Sequence, residues 1–259
     1  MLLLSAVTLA GGPGPTDNRY VAYEGTAAAR QSSGFLYGER DVLEYRGARL
    51  ARRITLYTCR DGTAFARKTV DYADGFAPDF ALEDVATGMT EGLRSEGGSR
   101  VVFYRAGRGE PEKSAALRPA PGFVADAGFD EFVQAHWAEL MAGQELTMRF
   151  LVPSHLKVIG FQVTHLRSDR FEGAPVEVLR LKLSGLWGYF LPGIDVYYRR
   201  ADRILVRYVG LSDLRDAAHD NLQVDLTYRD TDRRATDAGQ FDGARRAPLA
   251  PCARHPAGR

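Results

Sequence analysis

Leu222-Gln223-Val224-Asp225-Leu226-Thr227-Tyr228-Arg229 alternates apolar and polar side chains without a break. Successive side chains of an extended strand point to opposite faces, so this segment buries one face and wets the other. The same period returns in Ile194, Val196 and Tyr198 against Asp195, Tyr197 and Arg199, and in Leu146, Met148 and Phe150 against Thr147 and Arg149. Turn residues separate further runs. Arg46-Gly47 divides two of them, Asp61-Gly62 separates Ile54 to Cys59 from Ala64 to Tyr72, and Gly97-Gly98 separates Met89 to Arg94 from Val101 to Arg105. Short connections of this kind make sequential strands antiparallel neighbours.

Working outward, turn-bounded runs lie near residues 19–28, 34–46, 49–59, 64–73, 79–85, 88–95, 100–106, 145–152, 157–168, 175–184, 193–200, 203–211 and 220–229. With some merging they predict about ten to twelve strands. A twisted sheet of that width curls, so the expected fold is mainly β: one large curved antiparallel sheet forming a closed or partly open barrel, a single domain over residues 19–229. One amphipathic helix interrupts it at about residues 127–141. Phe129, Phe132, Val133, His136, Trp137 and Leu140 form one stripe, with Asp126 as N-cap, Asp130 and Glu131 in the first turn and Gly143 past the end. Such a helix covers an open end or face of the sheet, with Trp137 as its largest anchor and His136 in a structural role.

The chain has 259 residues, 45% of them hydrophobic, enough for a sizeable core. Its 34 Lys and Arg against 33 Asp and Glu are interspersed and leave a net charge of +1, which argues against nucleic acid as a partner. Residues 2–10 are mostly apolar, end in Thr8-Leu9-Ala10 and break at Gly11-Gly12-Pro13. That is the length of a signal-peptide core with a tolerable cleavage site, although no Lys or Arg precedes it. Residues 1–18 are therefore read as a signal peptide or a disordered N-terminus, and a periplasmic or exported location is expected. No segment approaches ~18 continuous apolar residues, so no transmembrane helix is expected. From about Asp230 to Arg259 apolar periodicity disappears, and this segment is expected to be a disordered tail. Cys59 and Cys252 fit neither a redox CxxC pair nor a zinc site. They either pair in an oxidising compartment, pinning the tail, or remain a strand cysteine and a tail cysteine.

Motifs for chemistry are sparse. No phosphate-binding loop, GxSxG elbow or HExxH helix occurs, and the five histidines do not pair at metal-ligand spacing, so neither cofactor nor metal is expected. Ser154 and His155 are adjacent and would diverge on a strand, so Pro153-Ser154 reads as a bend. Asp213, Arg215 and Asp216 read as a local ion pair or turn cap, with Arg215 able to line a barrel mouth. Asp71 with Asp74, and Glu83 with Asp84, are assigned to solvated loops. Leu186-Trp187-Gly188-Tyr189-Phe190-Leu191-Pro192-Gly193 carries more apolar surface than a solvated turn needs. It is a core plug, a cavity lid or a membrane-contact loop. Trp187, Tyr189 and Phe190, together with Phe150, Phe161 and Trp137, are the candidate contacts for a hydrophobic ligand.

Three stretches carry a resemblance: Asp126-Ala127-Gly128-Phe129-Asp130-Glu131-Phe132-Val133 with Trp137, then Phe150-Leu151-Val152-Pro153-Ser154, then Gly210-Leu211-Ser212-Asp213-Leu214-Arg215-Asp216. They resemble an uncharacterised family of exported bacterial proteins, mainly gammaproteobacterial, a domain of unknown function, over most of residues 18–229. That architecture is in turn similar to the half-barrel of lipoprotein carriers, a curved sheet wrapping a helix. The resemblance implies an envelope location and transfers no catalytic residue. The expected function is a non-enzymatic periplasmic or envelope protein that binds or carries a hydrophobic ligand such as a lipid. The alternatives are an envelope scaffolding module with a protein partner, or a hydrolase using carboxylates or Ser154 with a distant histidine. The carrier reading requires a hollow interior lined by apolar side chains.

Overall fold

In the computed structural model, which describes residues 18–72, 75–118, 121–184 and 193–252, the strands join in one 16-stranded sheet. In chain order these are β1 (Asn18–Ala29), β2 (Phe35–Arg46), β3 (Arg49–Thr58), β4 (Ala64–Asp71), β5 (Asp79–Asp84), β6 (Thr90–Glu96), β7 (Ser99–Arg105), β8 (Lys113–Leu117), β9 (Phe123–Val124), β10 (Leu146–Val152), β11 (Lys157–Phe171), β12 (Ala174–Leu183), β13 (Ile194–Arg199), β14 (Leu205–Arg215), β15 (Asn221–Tyr228) and β16 (Arg234–Thr236). Two antiparallel meanders, β1 to β8 and β10 to β15, are joined where β1 pairs with β15, Gly25 opposite Tyr228. β9 adds to β10 in parallel, and β16 pairs with the first half of β1. Every expected strand run holds a strand. The short β8, β9 and β16 were not foreseen, because two to five residues are too few to display a period.

The sheet is curved and not closed by hydrogen bonds, since β8 and β9 end the strand order. Its far ends nevertheless meet through side chains. Leu151 of β10 shares a buried cluster with Leu93 of β6 and Val102 of β7. The 3₁₀ turn Pro153–His155, where the bend was expected, packs on the same two strands.

The helix sits on the concave side in two pieces, α1 (Gly128–Ala135) and α2 (Trp137–Met141), broken at His136. Phe129, Phe132, Val133, Trp137 and Leu140 pack on Met148, Val163, Leu179, Leu181, Val196 and Tyr198. Burying a side chain of this size stabilises by roughly 1.5–3 kcal/mol, so the stripe anchors the helix firmly. His136 is packed against Phe132 and bonds Glu139 through Nδ1 at 2.5 Å, a structural role. The expected N-cap is corrected: Ala127 occupies that position, without a side-chain cap, and Asp126 has a φ of 44° and turns its carboxylate to Lys68 instead. Gly128 must be glycine, because a Cβ there would lie 2.1 Å from the Phe76 carbonyl oxygen.

The disordered tail is also corrected for the described residues 230–252. β16 is followed by α3 (Ala238–Arg246), capped by Asp237, whose Oδ1 accepts the Gln240 N–H. Phe241 and Ala244 are buried on Ala22, Val42, Ile54 and Leu56, on the outer face of β1–β3. Cys59 and Cys252 form a disulfide. One aromatic anchor and a covalent tie order a segment whose own composition could not. Residues 1–17 of the expected signal or disordered N-terminus lie outside the described residues, and Asn18 already begins β1. Among the described residues no helix is long and apolar enough to cross a membrane.

Candidate functional site

Alternation on β2 to β6 sends Tyr37, Glu39, Asp41, Arg53, Thr55, Tyr57, Lys68 and Glu91 to the concave face, where they are largely buried. The interior is therefore not a uniformly apolar hollow. It holds charges that meet across it. Arg53 Nε donates to Asp41 Oδ1 at 2.8 Å, the Thr55 hydroxyl donates to the same oxygen at 2.6 Å, and the Arg53 guanidinium lies 4.0 Å from Asp130 of α1. The Tyr198 hydroxyl donates to Asp130 at 2.6 Å. Beside this group, Lys68 Nζ donates to Asp126 Oδ1 and to Asp213 Oδ2, each at 2.7 Å. These bonds brace the helix and the β14–β15 hairpin against β3 and β4.

The electrostatics follow from burial. Burial opposes the Lys68 charge, but Asp126 and Asp213 outweigh it and hold the ammonium well above the usual lysine range. Glu39, buried beside Asp41, is pushed up to about 7, although the Tyr228 hydroxyl donates to it at 2.5 Å. Glu91 is pushed up to about 8 by burial and by Asp213. A carboxyl in a low-dielectric site next to a like charge keeps its proton near neutrality. Removing one partner of a buried ion pair leaves the other charge uncompensated and costs about 3–5 kcal/mol, so the fold is expected to be sensitive to loss of Lys68.

The described apolar candidates divide. Phe150 and Phe161 meet edge to face with ring centroids 5.9 Å apart, and both are only half-buried. The register places Phe150 opposite Ile159, Phe161 opposite Leu183 and Leu181 opposite Ile194. Phe150, Ile159, Phe161, Leu183 and Ile194 thus form a half-buried apolar patch on the concave face, and Phe150, Phe161 and Ile194 pack against the cluster that anchors the helix. Trp137 is 9% exposed, edge-on to Tyr198 and beneath the Arg203 guanidinium, so it anchors the helix and is not part of that patch. Trp187, Tyr189 and Phe190 lie outside the described residues. Arg215 donates to the His219 carbonyl at 3.0 Å and stacks 5.5 Å above the Tyr104 ring, bridging β14 to β7 at the rim.

Other expectations on the same residues change. Asp216 is a turn cap, its Oδ1 accepting the Ala218 and Asp220 N–H groups, but Asp213 reaches across the interior to Lys68. Glu83 and Asp84 are not in a solvated loop: Glu83 pairs with Arg67 across β5 and β4, and buried Asp84 caps the turn at Ala86. Among the described residues, His165 and Ser168 both hydrogen-bond Glu177 Oε2 at 2.8 Å, a grouping to weigh for a hydrolase. The serine proton is directed at the carboxylate and not at the imidazole, so the pair does not make an activated nucleophile. Sequence reasoning missed the interior charges. The available signal was that Glu39, Asp41, Arg53, Lys68 and Glu91 share the parity of inward-facing tyrosines and aliphatics.

A cavity of about 440 Å³ lies on the outer face of the sheet, beneath α3. A second, between β1, β14, β15 and Arg233, measures about 10 Å³.

No family model matches the chain, and no curated protein matches it. Among solved structures, it is similar to a β-barrel-like protein of the domain of unknown function DUF1849 from Brucella abortus, at 13% identity and a TM-score of 0.47, over 82% of this chain and 98% of that one. It is similar also to a putative outer membrane lipoprotein-sorting protein domain from Vibrio parahaemolyticus, at 12% identity and a TM-score of 0.32, over 88% of each chain. A DUF1329 family protein from Desulfovibrio piger ATCC 29098 aligns at 7% identity and a TM-score of 0.31, over 89% of this chain and 90% of that one.

Proposed function

We propose that the protein is a non-enzymatic envelope protein that binds the apolar part of a lipid-sized molecule on the concave patch of β10 to β13. The observation that carries this reading is the half-buried apolar surface of Phe150, Ile159, Phe161, Leu183 and Ile194. Aliphatic and aromatic side chains left half-covered on a concave face favour an apolar guest, at about 25 cal/mol for each Å² removed from water. The hollow lumen of the original expectation is replaced by this patch, because the helix and the charged network occupy the middle of the curl. The Cys59–Cys252 disulfide supports an oxidising, extracytoplasmic compartment, as does the apolar N-terminal stretch.

Titration with the lipophilic fluorophore N-phenylnaphthylamine tests the reading. Saturable emission enhancement is expected, with affinity reduced about tenfold in Phe161→Ser, the order lost with one large apolar contact. Native mass spectrometry of protein extracted gently from its host should carry lipid-sized adducts. Absence of both the fluorescence response and the adducts would refute the proposal.

A further inference from the structure

The C-terminal strap crosses the outer face of β1–β3 without filling the space beneath it. One end of α3 is fixed by the pairing of Arg234, Ala235 and Thr236 with Ala22, Val21 and Tyr20 of β1. The other end is held by Arg67, whose Nη1 donates to the Ala247 carbonyl at 2.9 Å, by the Ala250 N–H to Ala64 oxygen bond of 2.9 Å, and by the disulfide. Between these ties Phe241, 2% exposed, stands against Tyr20 and under the Arg52 guanidinium like a pillar. Beside that anchored face, the exposed Gly239 and Gly243 of α3 line the mouth of a groove of about 440 Å³. That is within the ~300–1,000 Å³ of small-molecule sites.

The lining is sorted by polarity. Ala22, Val42 and Leu56, each at most 8% exposed, form an apolar floor from the strands, and Ala244 and Ala247 flank it from the strap. At the rim, the Arg40 and Arg234 guanidiniums both lie 3.9 Å from the same oxygen of Glu24, and all three side chains are about half exposed. A single carboxylate oxygen shared at that distance leaves most of ten guanidinium N–H donors unengaged. Asp237, also on the rim, is occupied in capping α3. Two guanidiniums held only by the loosely placed, half-exposed Glu24 carboxylate, beside an apolar floor, suit an anionic head that displaces Glu24 and carries an aliphatic tail.

We propose that this groove is a binding site for a single-chain anionic amphiphile, a fatty carboxylate, its head between Arg40 and Arg234 and its chain along Ala22, Val42 and Leu56 beneath α3. The site is separate from the concave patch.

Calorimetric titration of the oxidised full chain with decanoate, and with decylamine as the opposite-charge control, tests it. One decanoate site is expected, with decylamine at least tenfold weaker. Gly243→Leu should abolish decanoate binding. Gly243 lines the groove, and a Cβ on it meets nothing within 4 Å, so the leucine enters open space and improves helix propensity without disturbing the fold. Arg40→Gln combined with Arg234→Gln should weaken decanoate at least tenfold and leave decylamine unchanged. Phe161→Ser should leave decanoate binding intact, which separates this site from the concave patch. No decanoate binding, undiminished binding in a folded Gly243→Leu variant, or loss of binding in Phe161→Ser would each overturn the proposal.

Discussion

Glu91→Gln should stabilise the protein increasingly as pH rises. Glu91 points inward from β6, is 6% exposed, and has its carboxyl pushed from 4.5 up to about 8, first by burial and then by Asp213, with Arg215 and Lys68 pulling the other way. In the unfolded chain the same carboxyl ionises near its ordinary value. Below about pH 4.5 both states hold the proton, and the group is neutral to stability. Between that value and about 8 the native state binds more protons than the unfolded state, so stability falls as pH rises. At ~1.4 kcal/mol for each unit of displacement, the loss attributable to this side chain approaches about 4–5 kcal/mol above pH 8. Glutamine has the shape of the protonated acid and does not titrate. The difference in unfolding free energy between variant and wild type should therefore be small near about pH 5 and grow by roughly 1 kcal/mol per pH unit towards about pH 8. Urea denaturation of both proteins across that range measures it directly. A difference independent of pH, or one that shrinks as pH rises, would refute the placement of a neutral carboxyl in the interior.

Lys68→Met leaves Asp126, 6% exposed, facing Asp213 without its shared cation, and a loss of about 3–5 kcal/mol is expected in urea melts. Gly128→Ala drives a methyl group into the Phe76 carbonyl, so the start of α1 must shift, at a cost of more than about 1–3 kcal/mol, read as a lowered thermal midpoint. Cys59→Ser with Cys252→Ser should cost about 2–5 kcal/mol and raise amide exchange over 234–246 well before that of β2 and β3, because the strap has little other burial. Phe161→Ser should weaken N-phenylnaphthylamine binding while changing thermal stability less than Met148→Ser, since Phe161 is half-buried and Met148 wholly buried.

Much of the fold was legible because polarity alternates residue by residue. β15, β13 and β10 announce themselves from Leu222 to Arg229, Ile194 to Arg199 and Leu146 to Phe150, and the stripe from Phe129 to Leu140 announces the helix. The tail misled for a corresponding reason: Phe241 alone carries no period, and its socket is made by Ala22, Ile54 and Leu56 on other strands. The signal lay in those strands, whose outward positions Ala22, Val42, Ile54 and Leu56 are apolar and require a cover. Of the ligand candidates, Phe150 and Phe161 do adjoin one another, whereas Trp137 is spent on anchoring the helix.

By itself the amino-acid order determined which residues extend, where they turn and which face of each strand is dry, because those properties depend on neighbours one to four positions away. Only the tertiary structure decided that Lys68 meets Asp213, 145 residues on, that Cys59 reaches Cys252 across 193, and that the middle of the curl is braced by charge rather than left hollow. Such meetings depend on how far the sheet bends and on which strands face one another across it. Curvature accumulates from small twists over the whole strand order, and no local spacing encodes it.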